Sequence, residues 1–454
     1  MRAKFDASIV KQLLIIAWPL MLSMTGQLLL QLTDAVFLAW YSLDTTVAAG
    51  PAGMLVFFFG SLFSGMMGYS AALVAQCYGK GERSRIGSIV WQGLLLSLGC
   101  GAVLLALSPF VANIFAVMGH PCEILAMERQ YFQIQCFGLP LVLATNVLCG
   151  FYAGRGDTRP VIFIQGTSIV SNILLDYLLI FGYFGFPRLG IVGAAYATVI
   201  AQFLALGVGL ALVYRPKWRN EYGTWEMRYR WDDMMLYFRF GLASGVRMAV
   251  EVFAWTAFVL FVGRISPLAS ATTNIVFRLN WLTFFPLLGL GEAVRTLVGQ
   301  AQGRRDSAYA TRAVWHGFIL AEGWMLLMSV FFLGAPRVLL SVFANSDAVE
   351  SHIQFAEVSA LGVVLLRYVV AYSVVDAANC TFAMGLQGAG DTRWTMHAMA
   401  VLSGLMFVAL LVADQWFRGI HASWCIITFF TIVMALTWGW RFHRGKWRDI
   451  VVIE

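Results

Sequence analysis

Long apolar runs recur along almost the whole of this 454-residue chain, and they restrict its fold more than any other feature. A helix of roughly 20 mostly apolar residues crosses a bilayer core about 30 Å thick. We therefore predict an all-α integral membrane protein whose twelve transmembrane helices lie in a lipid bilayer. The predicted spans are 12–40, 51–77, 88–116, 128–150, 160–184, 190–214, 233–263, 268–300, 312–340, 352–385, 395–415 and 420–441.

Basic residues are unevenly distributed between the predicted loops. Of the 31 Lys and Arg residues, 21 lie in the termini and in the alternate loops that share one side, five on the other side and five within spans. Such a bias marks the cytoplasmic side, so both termini are expected in the cytoplasm. The net charge of +7 then reflects membrane topology, and no nucleic-acid partner is expected.

Two sequence segments occur twice in the same order. AQCYGKGERSRIGSIVWQG at 75–93 matches GQAQGRRDSAYATRAVWHG at 299–317, and Gly-Asp-Thr-Arg at 156–159 returns at 390–393. Each copy follows the equivalent span, which indicates duplication. We predict two pseudo-symmetric six-helix lobes around a central cleft: an N-lobe at 1–213, a cytoplasmic linker at 214–232 and a C-lobe at 233–454.

The duplicated Gly-Asp-Thr-Arg motif falls at a predicted cytoplasmic turn in each half. Glycine permits a sharp backbone turn, Asp and Thr are suited to cap the following helix, and Arg favours the cytoplasmic face. We therefore expect a structural role for this motif.

Acids inside the spans are the candidate functional residues, because a charge at membrane depth is costly. Asp34 follows Gln27 and Gln31 along one face of the first span, and Asn172 and Asp176 are one helical turn apart. The alternative is an interhelical hydrogen bond that only holds helices together.

The motifs AGRGDTRP, QGAGDTR, AQCYGKG and VGQAQG, together with PLMLSMTGQLLLQLTDAVFLAW in the first span, resemble the multidrug and toxic compound extrusion (MATE) family, in particular its NorM-like branch. The resemblance extends over essentially the whole chain. It implies two six-helix lobes around a cleft and export of organic compounds driven by a proton or sodium gradient.

The resemblance also implies two groups of ion-coupling residues. In the N-lobe they are Asp34, Asn172, Asp176 and Thr198; in the C-lobe they are Glu251, Tyr372 and Asp376. Two carboxylates close together in a low dielectric do not easily both stay ionised, which prepares such a pair to take up a proton. The same oxygens would equally suit Na⁺, and we expect no other metal ion.

Other polar side chains within the spans are candidates for the cleft or its gates, namely Gln27, Gln31, Arg247, Arg278 and Arg367. Arg247 lies four residues before Glu251, so an intrahelical salt bridge is an alternative role for that glutamate. Arg278 and Arg367 are alternative partners for the acids of this lobe.

We therefore predict a secondary antiporter that exports amphipathic, cationic organic compounds in exchange for H⁺ or Na⁺ by alternating access. The alternative is a flippase or exporter of an anionic or lipid-linked substrate, which the three arginines would favour. An enzyme is not expected, because Walker, HExxH and GxSxG motifs are missing. We expect no cofactor beyond the coupling ion, a monomer, and a bacterial inner membrane as the location.

Overall fold

The computed structural model describes residues 6–117, 120–343, 355–416 and 419–453, which form sixteen α-helices and no strand. In chain order these are α1 (Ala7–Tyr41), α2 (Leu43–Gly68), α3 (Ser70–Lys80), α4 (Arg83–Val111), α5 (Cys122–Arg155), α6 (Arg159–Phe181), α7 (Ile191–Val213), α8 (Pro216–Tyr222), α9 (Trp231–Leu236), α10 (Leu242–Gly263), α11 (Pro267–Gly303), α12 (Ser307–Gly334), α13 (Pro336–Ser341), α14 (Phe355–Ala389), α15 (Thr392–Trp416) and α16 (Ile420–Arg444).

Within the described residues, twelve helical segments are long and apolar enough to cross a membrane. They coincide with the twelve predicted runs, which confirms the all-α, twelve-span fold. Several helices are longer than their apolar run; the predicted span 128–150, for example, lies inside Cys122–Arg155. Residues 352–354, at the start of the predicted tenth span, lie outside the described residues.

A glycine in the left-handed region ends the helix in both copies of Gly-Asp-Thr-Arg. Gly156 follows α5 with φ of 80°, and Gly390 follows α14 with φ of 95°. This confirms the expected glycine turn, since other residues rarely adopt such a φ. The expected Thr cap is wrong at Thr158, which occupies the N-cap position of α6 without a side-chain capping bond. In the second copy, Asp391 forms an ion pair with Arg441 of α16.

The described residues divide into two compact units. The N unit contains Leu22–Ala249, Gly299–Arg305 and Val452–Glu454, and the C unit contains Met1–Met21, Val250–Val298 and Asp306–Val451. In the N unit α5 packs against α2, α3, α4 and α7; in the C unit α14 packs against α12 and α16. The two helices that end in the duplicated motif therefore hold central positions in their units. The predicted limits of the N-lobe, linker and C-lobe stay a prediction.

Within the N unit, two segments related by the duplication pack directly on each other. A Cβ atom added to Gly79 would lie 2.0 Å from the carbonyl oxygen of Gln300, and one added to Gly303 would lie 2.2 Å from that of Gln76. Neither glycine has room for a side chain. Because equivalent positions contact each other reciprocally, the arrangement resembles a two-fold interface between copies. We call these four residues the glycine clasp.

Candidate functional site

Two acids in the N unit share a hydrogen bond. The carboxyl group of Asp34, on α1, bonds to that of Asp176, on α6. Asp176 is fully buried and Asp34 is half-buried. An ionised carboxylate only accepts hydrogen bonds, so this bond requires one proton on the pair. The pair therefore holds a proton in this arrangement.

Asn172 and Thr198 form a second bonded pair beside the acids. The amide nitrogen Nδ2 of Asn172 donates to Oγ1 of Thr198 at 3.3 Å, and this hydroxyl donates to the carbonyl oxygen of Ala194 at 3.1 Å. Asn172 is fully buried one helical turn before Asp176. The four N-lobe residues implied by the resemblance therefore lie on α1, α6 and α7 of one unit, in two hydrogen-bonded pairs.

Tyr131, on α5, belongs to this site, although the sequence analysis missed it. Its buried hydroxyl group interacts electrostatically with Asp34 and Asp176 and accepts a hydrogen bond from Nε2 of Gln135 at 3.2 Å. Tyr131 and Gln135 are four residues apart, and this polar pair within a mostly apolar span is the signal that could have revealed them.

One of the two glutamines before Asp34 joins the polar side chains of α6. Nε2 of Gln27 donates to Oε1 of Gln165 at 3.0 Å, whose own Nε2 lies 3.7 Å from Sγ of Cys149. Gln31 is exposed and forms no hydrogen bond within the described residues. Of the two predicted glutamines, Gln27 therefore forms a hydrogen bond with α6, and Gln31 does not.

The acids of the C unit also lie near each other. Glu251, on α10, interacts electrostatically with Asp376, on α14, and Asp376 does so with the buried Tyr372. Nδ2 of Asn379 donates to Oδ1 of Asp376 at 3.2 Å and to the carbonyl oxygen of Thr431 at 3.0 Å. The buried hydroxyl of Tyr372 has no hydrogen-bond partner among the described residues.

The three candidate arginines differ in their surroundings. Arg247 is buried in the same helix as Glu251, and the intrahelical salt bridge stays an alternative. Arg278, on α11, and Arg367, on α14, are exposed and form no ion pair within the described part of the chain. Neither of them neutralises Asp376 in this structure.

The atoms that could bind a cation at both sites are oxygens of carboxyl, hydroxyl and amide groups. Within the described residues there is no group of three or more His, Cys, Asp and Glu side chains arranged to hold a metal ion. Hard oxygen donors suit small hard cations rather than transition metals. Chemically, carboxyl groups can hold a proton, and oxygen ligands of these kinds are the type that hard cations prefer.

A family model, MatE, matches residues 19–178 and again residues 243–412. The chain belongs to the MatE family. The two matched ranges begin 224 and end 234 residues apart, which are the offsets of the two repeated motifs. MatE family members are multidrug efflux transporters rather than enzymes, and this chain is accordingly an integral, multi-pass membrane protein that handles small molecules.

Its MatE relatives extend over nearly the whole chain. One from Thermotoga maritima, named "Probable multidrug resistance protein NorM", is 25% identical, and the alignment covers 98% of this chain and 94% of the relative. A protein of the same name from Brucella suis is 27% identical, with coverage of 94% and 92%. The NorM-like resemblance is thereby confirmed.

Solved structures share the fold. A structure described as the outward-facing conformation of a multidrug resistance MATE family transporter has a TM-score of 0.86 at 19% identity, covering 98% of this chain and 97% of its own. A transporter from Pyrococcus furiosus, described as having a binding pocket of reverse polarity that suggests a different function, has a TM-score of 0.85 at 19% identity, with 97% of both chains covered.

Proposed function

We propose that this protein is a secondary active antiporter that exports amphipathic organic cations in exchange for H⁺ or Na⁺ by alternating access. The observation that carries the proposal is the hydrogen bond between the carboxyl groups of Asp34 and Asp176. It exists only while the pair holds a proton, so gain or loss of one ion changes both the charge of the site and the contact between α1 and α6.

A change of that kind can drive transport. A ligand shifts a conformational equilibrium only by its different affinity for the two states. With the pair deprotonated, its negative charge favours a cationic substrate. Uptake of H⁺ restores the hydrogen bond between α1 and α6, whereas Na⁺ would instead be held between the carboxylate oxygens. Either ion reduces the negative charge of the pair and weakens its attraction for the substrate, which then leaves on the other side.

The acids of the C unit provide a second place for the same exchange. Asp376 has only the amide of Asn379 as a hydrogen-bond donor in the described residues, and Glu251 is near it. Here we propose that Glu251, Tyr372 and Asp376 form a separate ion-binding group. Coupling through either group needs no further cofactor, since the ion gradient supplies the energy.

The remaining features of the proposal follow from composition and relatives. The excess of Lys and Arg in alternate loops supports cytoplasmic termini, and the bacterial relatives support a bacterial inner membrane. We propose a monomer as the working unit, because each unit contains its own group of acids.

Efflux from energised membrane vesicles tests this function. Ethidium movement is measured under an imposed pH gradient or an imposed Na⁺ gradient, for the wild type and for Asp34→Asn, Glu251→Gln and Asp376→Asn. Asp44→Asn is the matched control, because Asp44 is an exposed acid in the first turn of α2. We expect Asp34→Asn to abolish gradient-driven efflux and Asp44→Asn to retain it. Unchanged efflux in all three site variants would contradict the assignment.

A second substrate class is favoured by Arg278 and Arg367. Both are exposed within spans and without an acidic partner in the described residues, and a cation at membrane depth suits an anionic or lipid-linked substrate. If vesicles fail to move ethidium but accumulate an anionic dye in an Arg278- and Arg367-dependent manner, this second function replaces the first.

A further inference from the structure

The segment between the sixth and seventh spans is fixed to the N unit by an arginine enclosed in aromatic rings. The guanidinium carbon of Arg155 lies 4.2 Å from the ring centroid of Phe151, 4.9 Å from that of Tyr152, 4.4 Å from that of Trp218 and 4.7 Å from that of Tyr222. Trp218 and Tyr222 belong to α8, so these contacts attach α8 to α5. Cations and ring faces attract strongly where water is excluded.

Hydrogen bonds hold the rest of this segment in place. Nε2 of Gln92 donates to the carbonyl oxygen of Arg228 at 2.8 Å, and Nε1 of Trp225 donates to that of Tyr214 at 2.9 Å. A Cβ atom on Gly87 would lie only 2.3 Å from the carbonyl oxygen of Gly223, so backbone packs on backbone there. Residues 214–232, the predicted linker, therefore form a fixed surface rather than a loose tether.

This fixed surface exposes large apolar side chains in a regular pattern. Trp225, Met227, Tyr229 and Trp231 are 50%, 52%, 58% and 58% exposed. They occupy alternate positions: Trp225 lies in a turn, Met227 and Tyr229 lie in the irregular segment 226–230, and Trp231 begins α9. The ring centroids of Tyr229 and Trp231 are 6.4 Å apart. Trp and Tyr concentrate where a membrane meets water. Trp231 begins the seventh span, which places these four side chains at the level where the membrane meets water.

The charges of the linker favour an anionic partner. Five basic and three acidic residues occur in 214–232. One acid, Glu221, is occupied by Arg83 of α4 at 3.1 Å. The exposed Arg215, Lys217 and Arg228 have no acidic partner within the described residues. A juxtamembrane group of basic side chains attracts anionic lipids.

We propose that the linker is a binding surface for anionic phospholipid headgroups. Trp225, Met227, Tyr229 and Trp231 enter the interfacial layer, and the guanidinium and ammonium groups contact lipid phosphates. The aromatic rings around Arg155 hold the linker in one conformation before a lipid binds. Lipid binding therefore costs little further conformational entropy of the chain. The partner is a lipid of the leaflet next to the linker, such as phosphatidylglycerol.

Hydrogen–deuterium exchange of residues 224–231 tests the proposal. The full-length protein is placed in nanodiscs of phosphatidylcholine with increasing fractions of phosphatidylglycerol. We expect phosphatidylglycerol to slow exchange of this segment. Replacing Arg215, Lys217 and Arg228 by glutamine in one triple variant should raise the phosphatidylglycerol fraction needed for half-maximal protection roughly tenfold or more. The reason is that each basic residue near the surface contributes to the attraction of anionic lipids. Met227→Ser with Tyr229→Ser should reduce protection in both lipids.

The matched control removes the same number of charges elsewhere. Arg188, Arg264 and Arg337 are exposed in or near alternate loops that do not include the linker, and their triple glutamine variant should respond like the wild type. The thermal midpoint of each variant verifies folding. Equal protection with and without phosphatidylglycerol overturns the proposal, as does an equal effect of the two triple variants. Protection by a soluble polyanion alone would identify a different partner and also overturn it.

Discussion

Replacing Gly79 with alanine measures how tightly the glycine clasp is packed. A Cβ atom there would lie 2.0 Å from the carbonyl oxygen of Gln300, whereas ordinary contact begins at 3.4 Å, so the two segments must separate by roughly 1.4 Å. The obstructing atom is backbone and cannot rotate away. Overpacking of this kind costs about 1–3 kcal/mol, so Gly79→Ala should lower the free energy of unfolding by that amount.

The assay is denaturant or thermal unfolding of the purified protein, with Gly99→Ala as the matched control. Gly99 lies in α4, and a Cβ atom there meets nothing within 4 Å. Because alanine has a higher helix propensity than glycine, this control should be neutral or up to about 1 kcal/mol more stable than the wild type. Gly79→Ala is therefore expected to be less stable than the wild type, and Gly99→Ala is not.

The double variant examines whether the clasp acts as one contact. A Cβ atom at Gly303 requires a separation of roughly 1.2 Å from Gln76, across the same two segments. One displacement relieves both overlaps, so Gly79→Ala with Gly303→Ala should cost less than the sum of the single changes. If Gly79→Ala is as stable as Gly99→Ala, or if the two costs are additive, the reasoning is refuted.

Two further predictions concern the duplicated motif and the residue before it. Asp391→Asn removes the buried ion-pair partner of Arg441, 2.6 Å away, and should lower the free energy of unfolding by about 3 kcal/mol. Asp157→Asn, at the same position of the first copy, loses a half-exposed contact of 3.4 Å with Arg155 and should cost less than about 0.5 kcal/mol. Equal losses of stability in thermal unfolding would contradict this difference. Arg155→Leu should speed chymotrypsin cleavage of 214–232 several-fold more than Arg155→Lys, because lysine keeps a cation against the rings; equal cleavage of the two variants would exclude the aromatic cage as the attachment.

The spans were predictable because each span is a local property of the sequence. Runs such as 88–116 are apolar for long enough to identify a span without knowledge of any neighbour. Helix ends were less predictable. Thr158 has a residue type that favours capping, yet its side chain makes no capping bond. Composition gives a preference at a helix end, and packing around the turn decides which bond forms.

Contacts within one helix were visible in the sequence, and contacts between helices were not. The spacing of Asn172 and Asp176 placed them on one face of α6. By contrast, Tyr131 reaches the acids from α5, and nothing in its own segment indicates which helices it meets. For the same reason the enclosure of Arg155 by α8 was not foreseen, although the linker containing α8 was recognised as a polar connection.

The two copies of Gly-Asp-Thr-Arg have kept the turn and acquired different side-chain contacts. Directly before the first copy, Arg155 lies against aromatic rings of α8. Its counterpart before the second copy is Ala389, and there Asp391 pairs with Arg441 instead. The glycine turn is thus the shared requirement of the duplicated helices, and each unit stabilises it with its own neighbours.

Proton release on substrate binding is the most direct measurement of competition between ion and substrate for the carboxyl groups. Ethidium is added to the purified protein in weakly buffered solution, and a pH-sensitive dye reports released protons. The wild type should release protons in proportion to bound ethidium. If Na⁺ occupies the same oxygens, the number of protons released should be smaller at saturating Na⁺. Asp34→Asn combined with Asp376→Asn should release none, while Asp44→Asn behaves like the wild type. Undiminished proton release from the double variant would contradict the role of these acids.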